Sequence, residues 1–104
     1  MTKAMNGKMP LVPMTRLLGG FSAPTALYVR IQRQIKSQMH AVEANKLYTA
    51  EDLCGAKFWA EELKDNPEKW LAGRCFAHMV STGLFKFKFV QYKRYATKRY
   101  QLIS

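Results

Sequence analysis

The spacing of apolar residues predicts a long amphipathic helix near the start of the chain. From about residue 24 to residue 44 the apolar positions recur at helical spacing, at Leu27, Ile31, Ile35 and Val42. Either Ser22 or Thr25 is expected to cap this helix, since a hydroxyl can accept a hydrogen bond from the first turn. Its outer face is basic and polar, which indicates a solvated surface. Residues 1–23 show no sustained period and are predicted to be a flexible N-terminal arm.

A short break at 45–48, typical of a brief strand, separates this helix from a second one. Thr49 and Asp52 have the spacing of a capping box, in which each side chain bonds the other residue's backbone amide. Gly55 interrupts the pattern soon afterwards, so residues 56–63 form either a separate helical piece or a bent continuation. The sequence therefore predicts a short helix with a firm start.

The most clearly marked helix covers residues 67–82. Asn66 is a good N-cap, Pro67 suits the first helical position, and Gly83 favours a left-handed C-terminal cap. At helical spacing one side gathers the apolar and small residues Ala72, Gly73, Phe76, Met79 and Val80, with Trp70 at its edge. The opposite side is expected to present Arg74, His78 and Ser81, with Leu71 alongside.

After Gly83 the period changes from that of a helix to that of a strand. Phe85, Phe87 and Phe89 alternate with Lys86 and Lys88, which predicts a half-buried strand with its aromatic face inward. Residues 98–103 can return as its partner, and residues 91–97 fit an open hairpin tip. The predicted fold is α+β and mainly helical, with three to four helices, a C-terminal two-stranded hairpin and one domain over residues 24–104.

The distribution of charge along the chain indicates the kind of partner that it binds. The chain carries 17 Lys and Arg against 7 Asp and Glu, a net charge of +10. Residues 84–104 hold six bases and no acid, whereas residues 49–83 hold six acids and four bases. A surplus concentrated in one segment favours a polyanionic partner over a charge that only maintains solubility.

Other functions are less well supported by the sequence. No apolar run approaches the roughly 20 residues that span a bilayer, and the N-terminal segment is not typical of a signal peptide, so a cytoplasmic protein without membrane contact is expected. Cys54 and Cys75 are expected to be reduced thiols in the core. Cys75 and His78 have a C-x-x-H spacing, but a zinc site needs further ligands, so no metal, cofactor or enzymatic activity is expected.

The order of elements resembles that of the winged-helix family, a variant of the helix-turn-helix. The resemblance runs from about residue 24 to residue 103 and is carried by the segments TAEDL, NPEKWLAGRCFAHMVSTG and FKFKFVQYKRYATKRYQL. In general character the chain also resembles small proteins of phages and other mobile elements. The winged-helix resemblance implies that residues 67–82 are a recognition helix in the major groove and that residues 84–103 are a wing on the neighbouring backbone.

The residue types on these two elements suit double-stranded DNA. Arg74 can pair with guanine, His78 and Ser81 lie on the same predicted face, and Lys69 can reach a phosphate. The hairpin is expected to contact the DNA backbone through Lys86, Lys88, Tyr92, Lys93, Arg94, Lys98 and Arg99. For Arg74 and His78 the alternative is an ordinary solvated helix face.

Three alternatives remain open from the sequence. A winged-helix module can act as a protein-interaction adaptor, and an acidic protein partner would also explain the charge. RNA or single-stranded DNA binding would follow if the three phenylalanines of the first C-terminal strand were exposed, since exposed rings stack on bases. A homodimer through the first helix is the third alternative.

Overall fold

The computed structural model describes residues 12–90 and 98–103, which form four α-helices and two small antiparallel sheets. The helices are α1 (Thr25–Gln38), α2 (Ala50–Cys54), α3 (Ala56–Glu61) and α4 (Asn66–Ser81). The strands are β1 (Met14–Arg16), β2 (Ser22–Pro24), β3 (Leu47–Tyr48), β4 (Phe87–Val90) and β5 (Arg99–Leu102). Single 3-10 turns follow β1 and α1, at Leu18–Gly20 and Met39–Ala41. The predicted α+β class is confirmed at this level.

The segment before α1 is folded in its described part, which differs from the flexible arm predicted up to residue 23. Strands β1 and β2 pair as an antiparallel hairpin, with Thr15 opposite Ala23. Leu17 and Ala23 are buried in the core. The difference arises because two short strands leave too few residues to show a period. Residues 1–11 lie outside the described residues.

Helix α1 buries the predicted stripe of Leu27, Ile31 and Ile35, but it ends at Gln38 and does not continue to residue 44. Neither Ser22 nor Thr25 caps it with a side chain. The N-terminal hairpin supplies the partner instead, since the Thr25 amide donates to the Pro13 carbonyl over 2.9 Å. The start of α1 therefore depends on the hairpin being in place.

Local signals fix the starts of α2 and α4. The Asp52 amide donates to the Thr49 hydroxyl, and the Thr49 amide donates to the Asp52 carboxylate, so the predicted capping box is confirmed. In α4 the N-cap is Asp65, one residue before the predicted Asn66, and its carboxylate accepts from the Glu68 amide over 2.9 Å. Both residues are good caps, and the carboxylate adds a favourable charge at the helix start.

The second sheet has the strand order β3–β5–β4. Tyr48, Tyr100 and Phe89 lie opposite one another, whereas Lys88 lies opposite Gln101 on the other face. The inner face packs on α4, where the Phe76 ring contacts those of Phe85, Phe87 and Tyr100. Phe85 and Phe87 are buried as predicted, but Phe89 is 48% exposed, since the Phe76 ring contacts do not extend to it.

The core is centred on α4. Ala72, Cys75, Phe76 and Met79 are fully buried there. Cys54 and Cys75 are both buried free thiols, as the sequence predicts. Among the described residues, no helix combines the length and the apolar character needed to cross a membrane.

Candidate functional site

A cleft of about 470 Å³ opens where the start of α2, helix α3, the first half of α4 and strand β5 meet. We call it the basic cleft. Lys69, Trp70, Gly73 and Arg74 of α4 form one wall, and Tyr100 of β5 and the preceding Lys98 contribute another. The remaining lining residues are Thr49, Ala50 and Glu51 around the start of α2 and Trp59 of α3. The packing of α4 against both the sheet and α2 thus brings four separate segments to one site.

Three cations and one carboxylate line the basic cleft. Lys69 is half-buried and Lys98 is exposed, with its ammonium 5.8 Å from the centre of the Phe89 ring. Within residues 12–90 and 98–103 the recorded ion pair is the exposed Lys46–Glu43, so Lys69, Arg74 and Lys98 have no carboxylate partner there. Because three cations face a single carboxylate, Glu51, the described lining of the cleft has a surplus of positive charge, which favours anions.

Arg74 is held in position by the N-terminal hairpin. Its guanidinium donates to the Leu18 carbonyl over 3.1 Å and lies 4.6 Å from the centre of the Phe21 ring. It also lies 5.4 Å from the centre of the Trp70 ring. At Gly19 an added methyl carbon would be 2.9 Å from Arg74 Nη2, which shows how closely the turn approaches the side chain. Arg74 thus lines the cleft as a partly buried and oriented cation.

Aromatic side chains form much of the cleft surface. Trp70 is 51% exposed and meets Phe21 edge-on, with ring centres 5.0 Å apart. Trp59 is half-buried, and these two are the only tryptophans of the chain. Tyr100 closes the inner side. Burial raises the pKa of Tyr100 to about 12, whereas the charge of Arg74 acts to lower it, so its hydroxyl remains a neutral hydrogen-bonding group at physiological pH.

Sequence reasoning did not assign the tryptophans to a site. Trp59 falls in the helical piece predicted over residues 56–63, and Trp70 was expected to lie at the edge of the buried side of its helix. One signal in the sequence could have placed Trp70 in a binding site. Trp70 directly follows Lys69, which was already a candidate for phosphate contact. Its exposure depends on the neighbouring elements, which the helical spacing does not reveal.

His78 and Ser81 do not join the cleft residues. The His78 Nδ1 lies 2.8 Å from the Tyr28 hydroxyl, and the two rings meet edge-on at 5.6 Å. Helix α1 therefore packs against the side of α4 that carries His78. Ser81 is exposed in the last turn, and its hydroxyl donates to the His78 carbonyl. The sequence predicted one open face for Arg74, His78 and Ser81. In the structure this face is divided, because the N-terminal hairpin contacts Arg74 and α1 contacts His78.

The basic residues of the sheet are divided as well. Lys98, just before β5, lines the cleft together with Tyr100. Lys88 and Arg99 lie on the outward face of the sheet, as the register and the alternation of strand residues require. Lys86 is exposed just before β4 and alternates with the buried Phe85 and Phe87. Tyr92, Lys93 and Arg94 lie outside the described residues, so their proposed contacts stay predictions.

The two residues of the C-x-x-H spacing lie in different surroundings. Cys75 is buried, burial raises its pKa to about 11, and His78 is engaged by Tyr28. In the part of the chain that the structure describes, no three His, Cys, Asp or Glu side chains are grouped as metal ligands would be.

Comparison with known proteins gives no relative from which a function could be transferred. No protein-family model, curated protein or solved structure matches the chain.

Proposed function

We propose that the chain is a non-enzymatic protein that binds double-stranded DNA with the side of the molecule that carries the basic cleft. The observation that carries this proposal is the convergence of Lys69 and Arg74 from α4 with Lys98, which directly precedes β5, without an ion-pair partner among the described residues. Lysine and arginine supply most of the affinity for DNA by neutralising phosphates. A net charge of +10 adds long-range attraction to the same partner.

The order of elements supports a winged-helix arrangement. Helix α1, strand β3, helices α2 to α4 and strands β4 and β5 follow one another along the chain, and the sheet order β3–β5–β4 puts the last strand in the middle. In this arrangement α4 is the recognition helix and the segment between β4 and β5 is the wing. That segment covers residues 91–97, which lie outside the described residues.

The contacts of α4 restrict the proposed DNA contacts to the part of the helix up to Arg74. Ala77 is only 8% exposed, and α1 packs against the side of His78. The N-terminal hairpin covers one side of Arg74, whereas Lys69 and the cleft side remain accessible. We therefore assign DNA contact to Lys69, Arg74 and Lys98, and we assign His78 to the packing of α4 on α1.

The first experiment is a salt-titrated binding assay with fluorescently labelled duplex DNA, single-stranded DNA and duplex RNA of one sequence. The account predicts that duplex DNA binds at low salt and that the logarithm of the binding constant falls linearly with that of the salt concentration, by about 0.9 for each phosphate neutralised. Absence of duplex DNA binding at low salt would exclude the proposed function. Equal or tighter binding of duplex RNA would assign the surface to RNA.

One specific observation favours a second function, that of a protein-interaction module. Large apolar side chains are exposed on and beside the N-terminal hairpin, with exposed fractions of 65% for Val12, 55% for Met14, 44% for Leu18, 41% for Phe21 and 51% for Trp70. Exposed apolar patches commonly mark contact sites for other proteins. A pull-down after nuclease treatment separates the two functions, because a protein partner would be retained without nucleic acid.

A further inference from the structure

We propose that the basic cleft accepts one unpaired nucleotide of the bound DNA, with its base against Trp70 and Trp59 and its phosphates between Lys69 and Lys98. This inference rests on the proposed function and names the form of DNA that the site recognises. The duplex would bind along the same side of the molecule, and an unpaired nucleotide at a bulge or a mismatch would enter the cleft.

The exposed ring of Trp70 offers a stacking surface for a base. Trp70 is 51% exposed, whereas Phe76 and Met79 of the same helix are fully buried. Phe21 meets it edge-on, which leaves its position fixed without covering the whole ring. An aromatic side chain held at a basic surface is suited to stacking, because every base has a π face that such a ring can contact.

The cations of the basic cleft can contact the phosphates of the same nucleotide. Lys69 and Arg74 lie on the α4 wall and Lys98 on the β5 wall, so cations lie on two sides of the same aromatic surface. A nucleotide combines a flat ring with a phosphate on each side, and the cleft offers groups for both. Arg74, fixed by the Leu18 carbonyl and the Phe21 ring, is pre-positioned and loses little conformational freedom when an anion binds.

The shape of the site suits the same nucleotide. Its volume of about 470 Å³ lies within the usual range for ligand cavities, about 300–1,000 Å³. A base inside a duplex is stacked and cannot enter a cleft, so it must first leave the stack. Unstacking is least costly for a base that is already mismatched or unpaired. The cleft therefore favours DNA with such a nucleotide over a fully paired duplex.

The test uses the full chain and two duplexes of the same sequence, one fully paired and one with a single bulged nucleotide. Fluorescence anisotropy of the labelled DNA gives the affinity, and intrinsic protein fluorescence gives the environment of the cleft, because both tryptophans of the chain line it. We expect the bulged duplex to bind about 10-fold more tightly and to quench the tryptophan emission, in keeping with the usual strength of base stacking on an aromatic residue.

A matched pair of variants assigns the preference to the cleft. Trp70→Leu should remove most of the difference between the two duplexes. Phe58→Leu replaces a half-buried ring of α3 that does not line the basic cleft, and it should leave the difference intact. Circular dichroism establishes that both variants are folded.

The outcomes separate this inference from the proposed function. Equal affinity for the two duplexes overturns the inference and leaves DNA binding in place. Binding of neither duplex overturns both. A free mononucleotide that binds as tightly as the bulged duplex overturns the assignment to a DNA chain, since the cleft would then be a small-molecule site.

Discussion

The two halves of α4 have the same secondary structure but different surroundings. In the first half Lys69 is half-buried and Trp70 is 51% exposed, and both line the basic cleft. In the second half Cys75, Phe76 and Met79 are fully buried, and His78 contacts α1. The first half is free to bind a partner, whereas the second half holds the domain together.

Because of this difference, a single helical wheel does not predict which residues of α4 are buried. A wheel assumes that a helix buries one side along its whole length. Here the second half lies between α1 and the sheet, so residues on more than one side are covered. We therefore expect substitutions after Arg74 to affect mainly stability, and substitutions of cleft residues such as Lys69 and Trp70 to affect mainly binding.

The largest expected effect is that of Phe76→Ala in the second half. Phe76 is fully buried and its ring contacts those of Phe85, Phe87 and Tyr100. Removing it should lower the free energy of unfolding by about 3–5 kcal/mol, since a large cavity remains. Trp70→Ala in the first half should cost less, about 1–2 kcal/mol, because the ring is already 51% exposed and contacts mainly Phe21 and the guanidinium of Arg74. Urea denaturation measures both values.

A similar loss for the two variants would contradict the division of α4. A loss for Trp70→Ala that matched Phe76→Ala would mean that the cleft wall is part of the core.

The smaller expected effect concerns the contact between the N-terminal hairpin and Arg74. Gly19 and Gly20 both have positive φ angles, 73° and 80°, so alanine strains the backbone at either position. At Gly19 the new methyl would approach Arg74, whereas at Gly20 it would meet no atom of the described residues within 4 Å. Gly19→Ala should therefore lower the free energy of unfolding by about 0.5–1 kcal/mol more than Gly20→Ala, the usual value of a cation–π contact at an exposed site.

DNA affinity provides a second comparison of the Gly19→Ala and Gly20→Ala variants. Gly19→Ala displaces a proposed binding residue and should weaken DNA binding, whereas Gly20→Ala should not. Equal effects of the two alanines on stability and on affinity would show that the hairpin does not position Arg74.

The parts of the fold that the sequence predicts well are those set by neighbouring residues. Thr49 and Asp52 form their capping box within one turn. The alternation from Phe85 to Lys88 predicts a strand and the face that it buries. Phe89 continues that alternation but is exposed, because burial depends on how far α4 extends under the sheet. The hairpin at residues 14–24 was not predicted, since its core contribution comes from Leu17 and Ala23 alone.

The candidate site was predicted only in part for the same reason. Lys69, Arg74 and Lys98 were selected by charge and by position on their elements, and the structure brings them together. Trp59 comes from a different helix, and its place in the cleft follows from the packing of α3 near α4. No spacing within one segment can reveal a site that four segments form.

The most direct test of the central claim compares Lys98→Ala with Lys88→Ala in duplex DNA binding. Both lysines are exposed, Lys88 in β4 and Lys98 just before β5, but Lys98 lines the basic cleft and Lys88 lies on the outward face of the sheet. If DNA binds on the cleft side, Lys98→Ala should weaken binding several-fold and reduce the salt slope by about 1, whereas Lys88→Ala should leave both nearly unchanged. An equal loss for the two variants, or a larger loss for Lys88→Ala, would contradict the account.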